Sequence, residues 1–309
     1  MHLGNGMAIL KSHLSPSAKY PSARYLDYHL GAETEDLVAA FTRLSVEEFP
    51  FFDLRSSVPL AMPSQPIYFS DLKVAGTSLN CIVTAVYSFI RRHGTNDLEV
   101  LPLYPLPDTV AAELAILQEA LNSWLQAFEH FLVLQRHDSK SLPASILKLQ
   151  YLVIWIKVSV YFLFDETVYD QYLPHFEEVV QRSERAIESK MSGYSKLKGP
   201  CFTLDIAMAQ PLYFVARKCR DPSLRRRAVE MMKKVGREGI YTGRTVAKVA
   251  EWIVAAEEGV DSIGVVVTQR RFHDVSFDFH PNTKTATVVA TRRTVDGTWE
   301  QNTIVLDLA

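Results

Sequence analysis

Apolar residues recur every three or four positions along most of the chain and every second position from about residue 263 onward. This change of period predicts helices followed by strands. Leu72, Ala75, Leu79, Ile82, Val86 and Phe89 mark a long helix that ends at Arg91-Arg92-His93-Gly94. Cations suit the negative helix terminus there, and glycine suits the left-handed cap. Leu114, Leu117, Leu121, Trp124, Phe128 and Phe131 mark a second helix, with Asp108 after Pro107 as its expected N-cap. From Ile146 to Phe164 the chain is apolar nearly all round, which predicts a helix enclosed by neighbours. Tyr172, Phe176, Val179, Ser183 and Ile187 then give a one-sided helix before a break from Gly193 to Pro200.

Upstream, Glu35 to Leu44 reads as a shorter helix, and Ser45-Val46-Glu47-Glu48 has the spacing of a capping box. Between Phe49 and Phe69, Pro50, Pro59, Pro63 and Pro66 interrupt any helix, while the aromatic residues predict a segment pinned to the core. Downstream, Phe202 to Lys218 reads as helix interrupted at Pro211, either kinked there or restarted. Asp221-Pro222 is a strong helix start, with Leu224, Ala228, Met231 and Met232 as the buried face. A last helix follows Thr242, carries Val246, Val249, Ala250, Ile253 and Val254, and finishes at Glu257-Glu258-Gly259. Val275, Phe277 and Phe279 then alternate with Asp274, Ser276 and Asp278, and turns fall at His280-Pro281-Asn282-Thr283 and Asp296-Gly297. The expected fold is mainly α, a multi-helix bundle or helical array over 1-262. A small antiparallel β-meander over 263-309 packs its aromatic face on the helices.

With 309 residues and 48% hydrophobic content the chain can bury a large core, which excludes a disordered segment. Its 33 basic and 35 acidic residues leave a net charge of -2, so no global field draws it to nucleic acid or an anionic membrane. Cys81, Cys201 and Cys219 are widely spaced, as expected of free thiols in a reducing compartment. The opening Met1-His2-Leu3-Gly4-Asn5-Gly6 lacks a basic start and apolar run, so an intracellular protein is expected. The most apolar stretch, Leu149 to Phe164, contains Gln150 and Lys157 and falls short of the ~20 residues that cross a bilayer. It reads as a core helix.

Catalytic motifs are not apparent. No His-Glu-x-x-His occurs among the nine histidines, and His130 and His137 stand seven apart beside a helix end. Gly4-Asn5-Gly6 has neither a preceding strand nor a third glycine, and no phosphate-binding loop or Gly-x-Ser-x-Gly elbow is present. An enzyme is therefore not expected. Three weaker features each carry a structural reading beside a functional one. Cys219 sits between Lys218 and Arg220 near a helix start, as either an activated thiol or a core residue. Arg225-Arg226-Arg227, with Lys233, Lys234 and Arg237 downstream, offers a phosphate or carrier contact. Consecutive helical residues point about 100° apart, however, so pairing with acidic neighbours such as Asp221 or Glu230 is the stronger expectation. Trp124, Phe128, Tyr151, Trp155 and Tyr213 are candidates to line a small-molecule pocket or to fill the core.

The order of several motifs resembles the fungal-specific transcription factor domain found C-terminal to zinc binuclear clusters. His2-Leu3-Gly4-Asn5-Gly6-Met7-Ala8-Ile9-Leu10, Phe41-Thr42-Arg43-Leu44 and Phe69-Ser70-Asp71-Leu72-Lys73-Val74-Ala75 are similar to its early elements. Leu121-Asn122-Ser123-Trp124-Leu125-Gln126-Ala127-Phe128 is similar to its Leu-x-x-Trp-x-x-Ala-Phe helix. The most specific match is Pro211-Leu212-Tyr213-Phe214-Val215-Ala216-Arg217-Lys218-Cys219-Arg220-Asp221-Pro222, followed by Leu224-Arg225-Arg226 and Ala228. Glu238-Gly239 and Glu257-Glu258-Gly259 fall where that pattern expects them.

Two departures qualify the resemblance. The chain begins inside the family's first element, and its three cysteines cannot supply the six paired thiolates of a two-zinc cluster. The resemblance implies a nuclear regulatory and interaction domain acting through protein partners, a homodimer or a small-molecule effector. Zinc and DNA contact would belong to an N-terminal cluster in a full-length relative. The alternative is a cluster-less, stand-alone relative, nuclear or cytoplasmic, that binds a small molecule or dimerises.

Overall fold

A computed structural model describes residues 68–93, 106–135, 141–163, 165–194, 202–203, 208–238, 241–258, 270–280 and 282–308. All belong to the unit spanning Ser56–Ala309. The helix expected at Glu35 to Leu44, the capping box at Ser45 and most of the Phe49 to Phe69 stretch lie outside these residues. So do the first two motif matches, Gly94, His137, Cys201, Gly239 and Gly259.

Seven α-helices stand among the described residues. Helix α1, Leu72–His93, starts where the Asp71 carboxylate accepts the Val74 N–H at 2.9 Å. Its stripe of Ala75, Leu79, Ile82, Val86 and Phe89 is fully buried, as the spacing predicts. Helix α2, Asp108–Leu134, is capped by Pro107 and not by Asp108. Pro107 lacks an N–H and is still extended at a ψ of 138°, so the helix begins at Asp108, whose charge alone serves the first turn. Trp124 of α2 is buried and donates its indole N–H to the Ala75 carbonyl at 2.9 Å, joining the first two helices.

Helix α3, Leu142–Val160, begins with Pro143 in its first turn and is buried on nearly every side, including Leu149, Leu152, Val153, Ile154, Ile156 and Val158. By length and composition α1 and α3 are each apolar enough to cross a membrane. In this fold α3 is enclosed by protein, and Lys157 donates to the Tyr87 hydroxyl at 3.0 Å. The enclosed helix stops at Val160, short of Phe164. A 3₁₀ helix, Glu166–Tyr172, follows, opened by the Asp165 carboxylate accepting the Thr167 N–H at 2.8 Å. Helix α4, Leu173–Tyr194, takes up the one-sided pattern and runs past Gly193.

The expected helix from Phe202 to Lys218 is corrected. Phe202–Thr203 form a short strand, β1, and helix α5 covers only Ala209–Lys218. Pro211 lies in the first turn of α5, where a missing N–H removes no helical bond, so of the two readings the kinked long helix fails, while a helix opening at Pro211 is off by two residues. Helix α6, Pro222–Lys234, starts as read, with the Asp221 carboxylate accepting the Leu224 N–H at 2.8 Å. Two further short strands, β2 (Arg237–Glu238) and β3 (Tyr241–Thr242), were not foreseen. β2 pairs parallel with β1 and antiparallel with β3. Helix α7, Gly243–Glu258, follows, its first turn capped by the Thr242 hydroxyl. It abuts the end of α6 so closely that a Cβ on Gly243 would lie 2.3 Å from the Met232 carbonyl oxygen.

The C-terminal meander consists of β4 (Asp274–His280), β5 (Thr285–Arg293) and β6 (Trp299–Asp307), antiparallel in that order. Gly297, at a φ of 86°, closes the second hairpin as expected. Val275, Phe277, Ala286, Val288 and Ala290 form the buried face, and Phe277 meets the Tyr213 ring of α5 edge-on at 5.7 Å. A three-stranded sheet alone is marginal, so this apolar contact and the polar junction described next hold it in place. The architecture is mainly α with a small C-terminal antiparallel meander.

Candidate functional site

Among the described residues, buried charge gathers around the run from α5 to α6. Because α5 ends at Lys218 and α6 starts after Asp221, Lys218, Cys219, Arg220 and Arg225 converge near the helix ends. Lys218 is buried and donates to Glu166 Oε1 at 2.7 Å and to the His273 carbonyl at 3.1 Å, with its ammonium 5.0 Å above the Tyr169 ring. Arg271, also buried, donates to the Glu166 carbonyl at 2.9 Å and to the Lys218 carbonyl. One guanidinium thereby satisfies a C-terminal carbonyl of α5 and ties the 3₁₀ helix to the lead-in of β4.

Burial opposes ionisation of Glu166, yet Lys218, His273 and Arg271 outweigh it and hold the carboxyl at about 2. Burial pulls Lys218 the other way, below its ordinary value. Glu166 resists that pull, while Arg217 and Arg271 add to it. The partners differ because Glu166 faces several cations whereas Lys218 shares one carboxylate with them. Arg217 approaches Asp274 at 3.8 Å and covers the Tyr213 ring at 5.8 Å, adding a tie at the sheet margin.

A second buried pair lies beside the first. Arg225 is wholly enclosed, donating Nε to the Ala216 carbonyl at 2.9 Å and Nη2 to Glu257. The other Glu257 oxygen accepts the Phe272 N–H at 2.8 Å, so a single carboxylate joins α6, α7 and the start of the sheet. Phe272 stacks on Trp252 at 5.5 Å. Burial raises the Glu257 carboxyl despite Arg225 alongside. At the far end of α5, the buried Glu238 carboxylate accepts the Met208 and Ala209 N–H groups at 3.0 and 2.9 Å. It complements the positive end of that helix.

The basic run is thus divided by burial. Arg225 belongs to the core, Arg226 pairs with Glu258, and Arg227 pairs with Glu184 at 2.9 Å. Of the anticipated partners, Asp221 instead caps α6, while Glu230 pairs with Lys233 of the same basic patch at 2.6 Å. Cys219 is buried, and that burial pushes its thiol up to about 11, which fits packing and not activation.

Of the five aromatic candidates, four come together. Trp124 stacks with Phe128 at 4.7 Å and with Tyr151 at 5.7 Å, and Tyr151 stacks with Trp155 at 6.3 Å. Their rings fill the space between α2 and α3 by direct contact. Tyr213 stands apart, under the sheet. A shallow surface cleft lies instead where α1 begins and α2 ends, lined by Ser70, Asp71, Leu72, Lys73, Phe131 and Gln135. Among the described residues no group of three or more His, Cys, Asp or Glu side chains is placed to hold a metal ion.

Sequence reasoning missed Glu166 and Arg271, and it named Glu238 only within a motif match, without its place at the start of α5. A signal existed for two other members. Arg225 is in phase with Ala228, Val229 and Met232 on the buried stripe of α6, and Glu257 is in phase with Ile253 and Val254 on that of α7. Charges facing inward on two adjacent helices invite pairing. Compared with protein-family models, curated proteins and solved structures, the chain finds no match in any of the three.

Proposed function

We propose that this chain is the regulatory and interaction domain of a fungal transcription factor of the zinc-cluster type. It acts in the nucleus through protein contacts or an effector response, with DNA bound by a separate zinc-bearing domain. The observation that carries the reading is the behaviour of the most specific motif run, Pro211 to Pro222 with Leu224-Arg225-Arg226. Lys218, Asp221 and Arg225 each have an internal partner, and Cys219 is packed. Residues committed in this way define a fold, so their recurrence in order fits a shared architecture better than a shared catalytic site. Arg226 and Arg227 face solvent but are matched by carboxylates, which weakens them as phosphate ligands.

The experiment is fluorescence anisotropy of the isolated chain with a panel of duplex DNAs across a salt series. The expected outcome is weak binding without sequence preference that disappears as salt rises. Tight, sequence-dependent and salt-tolerant binding would overturn the assignment. The second reading, a stand-alone dimerisation module, is favoured by one feature: among the described residues β6 is an outer strand of its sheet with no further strand paired to it.

A further inference from the structure

Ser223 is exposed on the solvent face of α6, which it shares with Arg226 and Arg227, three and four positions on, while Leu224, Arg225 and Ala228 turn inward. Side chains at these spacings are neighbours on a helix surface, with Cβ atoms about 5–6 Å apart. Arg220 precedes the serine by three positions, in a stretch whose Cys219 and Asp221 backbones are extended, at ψ of 140° and 116°. The setting of the exposed Ser70 is different. It donates to the Asp71 carboxylate at 3.0 Å, where an added anion would meet like charge.

The three guanidiniums are held by carboxylates that release them at little cost. Arg220 pairs with Asp170 at 2.6 Å, Arg226 with Glu258, and Arg227 with Glu184 at 2.9 Å. All three pairs reach solvent, and such pairs contribute little to stability. The carboxylate that Arg226 holds also has a second cation to turn to. Glu258 gives Oε2 to Arg226, while its Oε1 lies 4.0 Å from Nη1 of the fully buried Arg225. Neither of these facing atoms has a hydrogen-bond partner among the described residues. A surface arginine and a core arginine thus compete for one carboxylate, and drawing Arg226 away leaves Glu258 able to close on Arg225. Asp221, the carboxylate nearest to Ser223 in sequence, is occupied by the Leu224 N–H at 2.8 Å.

We propose that Ser223 is a phosphorylation site for a protein kinase that selects basic substrates, and that Arg226 and Arg227 hold the phosphate once it is attached. The inference goes beyond the regulatory reading of the chain and does not depend on it. Arginine three residues before the serine supplies the kind of charge pattern by which kinases choose substrates, and the extended approach through Cys219 and Asp221 suits a peptide-binding cleft. In the transfer the Ser223 oxygen attacks the γ-phosphorus of kinase-bound ATP. The new O–P bond forms as the bond from the γ-phosphorus to the bridging oxygen breaks, ADP leaves, and the hydroxyl proton passes to the catalytic carboxylate of the kinase. The product sets a charge of about -1.5 to -2 and three acceptor oxygens against two guanidinium forks. Arg226 then leaves Glu258 and Glu258 closes on Arg225, so the modification exchanges a surface tie between α6 and α7 for a buried one.

The test is incubation of the full native chain with ATP and a kinase that requires arginine three residues before its serine, beside the Ser223→Ala and Arg220→Ala chains. Mass spectrometry of digests is expected to place a phosphate on Ser223 of the native chain, and Ser223→Ala should lack it. Arg220→Ala should be labelled at least about tenfold more slowly, the loss expected when one charge-assisted bond to the kinase is removed. Phosphorus NMR then reads how the phosphate is held, against a synthetic phosphopeptide spanning residues 215–230. A phosphoserine loses its second proton at about pH 6. Guanidinium contact should lower that midpoint by about half a unit or more. Replacing Arg226 and Arg227 together by Ala, with Asp170, Glu184, Asp221 and Glu258 unchanged, should return it towards the peptide value. Both arginines are exposed, and thermal melts show that the variant is folded. A native chain that takes no phosphate at Ser223 overturns the site. A midpoint equal to that of the phosphopeptide, or one unmoved by loss of both arginines, overturns the part given to Arg226 and Arg227.

Discussion

Replacing Glu257 by Gln tests whether the buried junction holds the sheet to the helices. The amide keeps the shape, but with its oxygen accepting the Phe272 N–H its NH2 group faces the Arg225 guanidinium, so the change removes both the charge and the acceptor that Arg225 uses. Arg225 would then be wholly buried with only the Ala216 carbonyl at 2.9 Å and the more distant Glu258 carboxylate at 4.0 Å. Breaking a buried ion pair from one side costs about 3–5 kcal/mol, and the remaining pull of Glu258 places this case near the lower end, about 3 kcal/mol. Removing Arg226, whose side chain is 63% exposed against Glu258, should cost about 0–1 kcal/mol. The two changes sit on one network and differ chiefly in burial. The assay is urea denaturation followed by tryptophan fluorescence, performed at pH 8 because burial raises the Glu257 carboxyl. In a cycle with Arg225→Met and Glu257→Leu, the double variant should be about 2 kcal/mol more stable than the summed single losses. A Glu257→Gln midpoint within error of wild type, or indistinguishable from Arg226→Ala, would refute the junction as a stabilising element.

Three further outcomes follow from the same geometry. The Glu166 carboxyl is lowered to about 2 from 4.5, so its contribution is present above roughly pH 4.5 and lost as pH falls through about 2. At about 1.4 kcal/mol per unit this is about 3–4 kcal/mol, and Glu166→Gln should flatten the acid limb of stability against pH; an unchanged limb contradicts the assignment. Gly243→Ala forces a methyl group to 2.3 and 2.5 Å from two backbone oxygens, and a loss of about 3 kcal/mol with a melting temperature roughly 6–12 °C lower is expected. Retained melting behaviour would mean that the α6–α7 contact is looser than described. Finally, Cys219 should resist a thiol reagent until denaturant is added, and rapid labelling of the native chain would contradict its burial.

The helical core was legible because its elements obey one rule. The buried stripe of α1 and the inward residues of α2 and α6 match the apolar positions read from periodicity alone. Caps were legible where a side chain bonds locally, as at Asp221, and misread at Asp108, where the preceding proline rather than an oxygen starts the helix. The two-residue strands carry no period to detect. The junction was hidden for a different reason. Glu166 lies 52 positions from Lys218, and Arg271 lies 105 from the Glu166 carbonyl it bonds, so neither has a local signature. Four of the aromatic candidates are in ring contact with one another, while Tyr213 lies under the sheet, a place that depends on how the meander packs.

The most direct measurement of the proposed role is reporter transcription when this chain is fused to an unrelated DNA-binding domain. A regulatory domain should change output relative to the DNA-binding domain alone, and Glu257→Gln, which loosens the junction, should reduce that change at equal protein level. Output identical to the DNA-binding domain alone, with the fusion folded and bound at the promoter, would contradict the assignment.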